Sequence, residues 1–255
     1  MIDLHCHILP GVDDGAKTEQ GAIEMARVAA AEGITHIVAT PHHRAHGFDN
    51  PKEAVKTLVD ILNQLFKEEQ VTVTVLPGQE ARVHGEMIEG LEAGELLTMN
   101  DTGRYLFVEF PTSSVPRYTE RLFFDLQMKG VIPVIVHPER NQEIYDNPNT
   151  LYHLVKDGAL TQVTAASLIG GFGNKIKKLS FDLIEHNLAH FIASDAHNTT
   201  TRAFHLREAY GEIERQFGTD RQFYFLENAE LLIDGQNVYC DEPQPIKEKK
   251  FLGLF

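Results

Sequence analysis

Short apolar runs of strand length alternate with helical stretches from the first residues to about residue 217, an order that parallel βα units satisfy. The predicted strands are 2–5, 35–39, 71–76, 105–109, 132–136, 161–164 and 190–194. Helices are expected at 19–32, 51–69, 117–129, 149–157, 173–186 and 202–217. Several carry local end signals: Thr18 precedes the first and Gly33 follows it, and Asn50-Pro51 opens the second. No Pro/Gly/Ser-rich linker divides the chain and no sequence repeat goes beyond the alternation itself. One domain over residues 1–240 is expected, an α/β barrel of seven βα units, irregular in shape, rather than an open doubly wound sheet.

Composition narrows the function. A net charge of -14 argues against a general nucleic-acid binder, because phosphate backbones are held by clustered Lys and Arg. An anionic substrate would need local cations to overcome that field, and bound metals would supply them. Two cysteines, Cys6 and Cys240, make no disulfide framework, and a reducing cytoplasm is the expected location. The chain has no leader-like start and no apolar run near the ~18 residues that span a bilayer, so it is read as neither processed nor membrane-integral. The segment 241–255 is expected to be a flexible tail. Its Lys247, Lys249 and Lys250 followed by Phe251-Leu252-Gly253-Leu254-Phe255 could dock on a partner or a membrane surface.

Ligand-type side chains recur where βα architectures place active sites, at the carboxyl ends of the strands. His5 and His7 close the first strand and share one face by alternation, leaving Cys6 on the other. His42 follows the second, Glu80 the third, Glu109 ends the fourth, His137 the fifth, and Asp195 with His197 the seventh. The Asp13-Asp14 pair adds carboxylate to the first loop. This many donors over-supply one ion, so a cluster of two or three is expected, with Glu80 as the bridging carboxylate. Imidazole and carboxylate without thiolate suit Mn, Fe or Zn. Such metals about 3.5–4 Å apart can hold a hydroxide for in-line attack on phosphorus.

Arg140 and Arg202 lie on loops of the same face and suit the non-bridging oxygens of a phosphoester, their alternative being surface pairing, as of Arg140 with Glu139 or Glu143. His36, His84, His153, His186, His190 and His205 read as structural or surface residues. His43 and His46 sit beside the site, as solvated loop positions or substrate contacts. A thiol-phosphatase reading of Cys6 fails because the residue six on is Val12, where that signature needs Arg, and no Gly-rich cradle intervenes. No phosphate-binding P-loop and no dinucleotide fingerprint is present.

The series His-x-His, Thr-Pro-His-His, Gly-Gln-Glu, Glu-Phe, His-Pro-Glu-Arg and Ser-Asp-Ala-His resembles the PHP (polymerase and histidinol phosphatase) superfamily of metal-dependent phosphoesterases. Asp3-Leu4-His5-Cys6-His7-Ile8-Leu9-Pro10, Asp13-Asp14-Gly15 and Ser194-Asp195-Ala196-His197-Asn198 are similar to its bacterial tyrosine-protein phosphatases of the YwqE and CpsB type. The resemblance implies a distorted (β/α)7 barrel, three divalent metals with manganese-supported activity, and hydrolysis of phosphotyrosine on a membrane-associated tyrosine autokinase in capsule or exopolysaccharide biosynthesis. It further implies one metal on His5, His7, Glu80 and Asp195, and a second on Glu80, Glu109 and His137. The third falls to His42, His197 and either Asp13 or Asp14, with Asp14 the preferred choice. Arg140 and Arg202 would hold the phosphoryl oxygens while the phenolate leaves. The alternatives are a phosphatase for a small ester such as histidinol phosphate, and a mainly regulatory module that docks a kinase.

Overall fold

Thr18 and Gly33 bound the first helix in a computed structural model of the protein, which describes residues 1–246. Thr18 Oγ1 accepts from the Gly21 N–H at 3.1 Å, and Gly33 takes the left-handed conformation at φ 88° that ends the helix. The elements follow as β1 (Ile2–Cys6), α1 (Glu19–Glu32), β2 (His36–Ala39), β3 (His42–His43), α2 (Lys52–Glu68), β4 (Thr74–Pro77), β5 (Glu80–Arg82) and α3 (Met87–Glu92). Then come β6 (Tyr105–Glu109), α4 (Thr119–Met128), β7 (Ile132–Val136), α5 (Gln142–Asp146), α6 (Asn149–Lys156), β8 (Leu160–Thr164), α7 (Ala165–Leu168) and α8 (Asn174–Glu185). The last are β9 (Phe191–Ala193), α9 (Leu206–Phe217) and α10 (Thr219–Ile233).

All strand pairs are parallel, in a three-stranded sheet β1-β2-β4 and a six-stranded sheet β3-β5-β6-β7-β8-β9. The α/β class and the parallel arrangement agree with the sequence reading. Two of the expected strands are interrupted. Thr40-Pro41 separates β2 from β3 and Gly78-Gln79 separates β4 from β5, so each chain segment crosses from the first sheet to the second. Pro41 has no N–H to give a ladder, which suits the break. The two short continuations pair with each other in a register that sets His42 directly opposite Glu80.

Ile2 and Leu4 of β1, Val38 of β2, Tyr105 and Phe107 of β6, Val134 and Val136 of β7 and Phe191 of β9 form one buried cluster, which Ala229 and Leu232 of α10 join. A larger cluster packs the helices on the sheets. The pairing of β1 with β2 shifts register between Asp3 and Cys6. Leu4 lies in the inner cluster and His5 packs against Phe107 of that cluster, the rings tilted and 5.7 Å between centroids, so the inner core leads directly into the site.

The helix α10 has no counterpart in the sequence reading. Its buried residues Phe225, Asn228, Ala229 and Leu232 face β1, β9 and α9, while Phe223 remains exposed, so its apolar residues do not form one stripe. Helix α9 begins four residues later than expected, since residues 198–202 are wrapped around Asn198. Its Oδ1 accepts from the N–H groups of Thr200, Thr201 and Arg202 at 2.9, 2.8 and 3.1 Å. Residues 241–246, read from sequence as the start of the tail, are held: the Gln244 N–H donates to His186 O and Asn187 Nδ2 to Glu242 O. The Lys and Phe/Leu run at 247–255 lies outside the described residues.

Burial pushes the His190 imidazole down to about 3, and the Thr161 N–H donates to its Nδ1 at 3.1 Å, an arrangement for the neutral ring. The unfolded chain, with an ordinary histidine, takes up that proton first. Stability is therefore lost as pH falls from about 6.5 toward 3, by roughly 3 kcal/mol at pH 4. Denaturant unfolding at pH 7 and pH 4 checks this: the pH-dependent loss should be clearly smaller in His190→Asn than in the parent.

Candidate metal centre

Two imidazoles from the end of β1 form the inner wall. His5 Nδ1 lies 3.0 Å from Gln162 Oε1 and His7 Nδ1 lies 2.7 Å from Asp13 Oδ2, so the hydrogens sit on those nitrogens and both Nε2 lone pairs face inward. The two Nε2 atoms are 3.3 Å apart. Each is 3.4 Å from Glu80 Oε2, and they stand 3.5 and 3.3 Å from Asp195 Oδ1. The other Glu80 oxygen meets His137 Nε2 at 2.7 Å, and Glu109 completes a group with these two. Asp14 Oδ1 is 3.4 Å from His42 Nε2 and 3.2 Å from His197 Nε2. His197 Nδ1 donates to the Asp195 carbonyl at 3.0 Å, which leaves its Nε2 free. All nine residues named from the sequence thus converge, in three adjoining groups.

Asp13 and Asp14 are placed differently. Asp13 is buried and fully engaged: its oxygens take His7 Nδ1, the Gly15 N–H at 2.9 Å and the His42 N–H at 3.1 Å. Asp14 is half exposed and turns into the cluster. Gln162, in the middle of β8, is an orienting residue that sequence reasoning missed, because a glutamine inside a strand carries no positional signal. Arg82 was missed too. It donates to Phe110 O at 2.8 Å and pairs with Glu109 Oε2 at 3.1 Å. Of the two ambiguous histidines, His46 stands at the cavity rim 3.5 Å from Glu109, while His43 turns away to Asp49 at 3.0 Å.

The donor set fits divalent cations. Four of the buried atoms that lack a well-aligned hydrogen bond lie in this cluster, His42 Nδ1, Glu80 Oε2, Glu109 Oε2 and His197 Nε2, although His42 Nδ1 stands 2.8 Å from Glu80 Oε2 and Arg82 3.1 Å from Glu109 Oε2. Burial opposes charge on Glu80 and Asp195. His5 and His42 overcome it at Glu80, as Arg140 and His7 do at Asp195, and both carboxyls stay well below their usual range. Burial and the neighbouring Glu80 push Glu109 up to about 7. Burial and Arg140 push His137 down to about 4, which keeps its ring neutral and able to donate a lone pair. Two ligand positions hold a backbone that residues with a Cβ seldom adopt: His137 at φ 38° and Asp195 at φ 54°.

Arg140 Nη2 and Arg202 Nη2 both donate to Asp195 Oδ2, at 2.6 and 3.0 Å, and Arg202 Nη1 reaches Asp14 at 3.3 Å. Arg140 does not pair with Glu139, which is fully buried and accepts from the Thr164 N–H and Ser167 Oγ. The two guanidinium groups, with Asp14, His42, Glu80, Glu109, His137 and Asp195, line a cavity of about 280 Å³ whose other walls include Phe110, Thr112, Pro138 and Asn141. Such a site can bind a phosphoryl group against cations and polarise it.

The family model for capsular polysaccharide synthesis, CpsB/CapC, matches residues 1–234. The chain is 51% identical to the tyrosine-protein phosphatase YwqE of Bacillus subtilis over 255 residues, the whole of both proteins. It is 30% identical to the tyrosine-protein phosphatase CpsB of Streptococcus pneumoniae over 244 residues, 93% of this chain and all of that one. A solved structure from work on YwqE of Bacillus subtilis and CpsB of Streptococcus pneumoniae, described as metal-dependent tyrosine phosphatases, superposes with a TM-score of 0.95 at 51% identity. It covers 97% of this chain and 100% of its own.

The division of labour between the two aspartates predicts different outcomes. Asp14→Asn should reduce the bound metal per chain, whereas Asp13→Asn should leave the full complement at saturation but weaken metal affinity by about 10- to 100-fold. Elemental analysis and metal titration separate them. Gly15 passes so close to His7 that an added Cβ would lie 2.0 Å from His7 O. Gly15→Ala is therefore expected to lose metal as well as at least about 2 kcal/mol of stability, read by thermal unfolding of the metal-free protein.

Proposed function

The chain belongs to the CpsB/CapC family of capsular polysaccharide synthesis, and on that footing we infer that it is a metal-dependent protein-tyrosine phosphatase, a phosphoric monoester hydrolase. The observation that carries the reading is the convergence of imidazole and carboxylate donor atoms, at metal-ligand spacing, beside two arginines in one cavity. His5, His7, Glu80 and Asp195 hold one divalent ion, Glu80, Glu109 and His137 a second, and Asp14, His42 and His197 a third. The imidazole and carboxylate set without thiolate suits Mn, Fe or Zn, and the family resemblance makes manganese the ion proposed. When bound, such ions supply an activated water and neutralise charge that develops on the phosphoryl oxygens.

The chain's own groups do the rest. Arg140 and Arg202 offer planar pairs of N–H donors to the phosphoryl oxygens, and Arg140 Nε is a buried donor without a partner in the structure. Asp195 holds both guanidinium groups on the side of the cavity where the phosphoryl group sits. The phenol of tyrosine, with a pKa of about 10, leaves without a strong general acid. Cys6 takes no part: it is fully buried, burial pushes its thiol well up, and its Sγ faces Ala196 O.

In fold terms, β2 with β3 and β4 with β5 count as two interrupted strands of a distorted (β/α)7 barrel of the PHP type. Hydrogen bonds between the ends of β9 and β1, from the Asp195 N–H to His5 O and from the His7 N–H to Ala196 O, support joining the two sheets at that edge. The substrate proposed is phosphotyrosine on a membrane-associated tyrosine autokinase and its targets in capsule or exopolysaccharide biosynthesis, met from the cytoplasm. No helix among the described residues is long and apolar enough to cross a membrane.

Chelation should abolish hydrolysis of a phosphotyrosine peptide and manganese should restore it, with metal content followed in parallel. Activity that survives in metal-free protein would overturn the reading. Arg140→Ala should keep its metal and lower kcat/KM by about 100-fold, a loss measured on the same peptide at saturating manganese.

A further inference from the structure

β8 ends in Thr164 and leads through α7 into the loop Ile169-Gly170-Gly171-Phe172-Gly173. Gly170 and Gly173 both take positive φ, at 91° and 90°, and the Gly171 N–H donates to Ala166 O at 2.8 Å, so the loop is folded tightly onto α7. It presents Phe172, an aromatic side chain that is 41% exposed. The ring lies under the Arg140 guanidinium, with Cζ 5.2 Å from its centroid. Arg140 is the less exposed partner, at 21%, and its Nη2 is bound to Asp195 deep in the cavity. Phe172 therefore stands on the more exposed side of Arg140, next to the cavity but not among the residues that line it.

The inner end of the cavity is filled by buried ligand atoms, so the organic part of a bound phosphate ester has to point outward, past the rim. A group that emerges beside Arg140 meets the free part of the Phe172 ring. Aromatic rings associate edge to face or offset at centroid separations of about 4.5–7 Å, a range that a phenyl group one ester bond from a phosphate on Arg140 can reach. We propose that Phe172 is a specificity-determining residue that selects aryl over alkyl phosphate esters by contact with the phenyl ring of phosphotyrosine. The inference rests on the assignment of Arg140 to the phosphoryl oxygens.

Calorimetric titration of the full-length, manganese-loaded protein with phenylphosphonate and methylphosphonate, which are not turned over, tests this without relying on activity. Phe172→Ala should weaken phenylphosphonate by about 3- to 10-fold and methylphosphonate by less than about twofold, and Phe172→Tyr should restore the difference. Metal content and thermal midpoint of each variant are measured alongside. Equal weakening of both ligands would mean that Phe172 only braces Arg140, and no weakening would mean that it does neither; either overturns the proposal. Arg140→Ala keeps the two readings apart. If it weakens neither phosphonate, the arginine assignment falls and the inference with it, whereas loss of both ligands beside an undiscriminating Phe172→Ala overturns the inference alone.

Discussion

Glu80 has no exposed surface, yet four histidines from three different segments are ranged around its carboxylate: His5, His7 and His42 at one oxygen and His137 at the other. A buried carboxylate costs several kcal/mol unless it is paired and hydrogen-bonded, and this one draws its compensation from across the whole fold. Its position is set by the register of β3 on β5, which exists only because the chain breaks at Gly78-Gln79 and changes sheet. The interruption of two strands is thus what allows a carboxylate and an imidazole to face each other at the centre.

Around that centre the structure spends order where a ligand atom has to be aimed. Gln162 and Asp13 each fix one imidazole through its outer nitrogen, and a backbone carbonyl does the same for His197. His137 and Asp195 hold left-handed backbone conformations that cost of order 1–3 kcal/mol each, tolerated because the preceding strands β7 and β9 are buried and hydrogen-bonded into the sheet. In both cases the chain turns sharply as it leaves the strand and delivers its side chain back over the strand end.

The candidate ligands were legible because the chemistry of a metal site admits few residue types and because strand ends are recognisable from apolar runs. The second layer was not. Gln162 reads as any strand residue, and Asp13 beside Asp14 differs from it only in burial, which composition does not carry. β3 and β5 were invisible as strands because two and three residues show no periodicity; register, not hydrophobicity, makes them strands. α10 escaped for the opposite reason: it packs against several elements and shows no single apolar stripe.

Electrostatics connects the acidic composition with the activity. Four carboxylates, Asp14, Glu80, Glu109 and Asp195, face the cavity against two guanidinium groups, and both of those are engaged with Asp195. These carboxylates repel a phosphate monoester dianion at short range in a low-dielectric pocket, where charge interactions are several times stronger than in water. Against its burial, Glu80 and Asp14 push the His42 imidazole up to about 9, so part of the balancing charge in the metal-free protein is a ring proton. The guanidinium groups of Arg140 and Arg202 are committed to Asp195. Divalent ions among the histidines would take the place of ring protons, relieve Asp195 and free the arginine N–H groups for the substrate. The metal would thus serve the charge of the substrate as well as the activation of water.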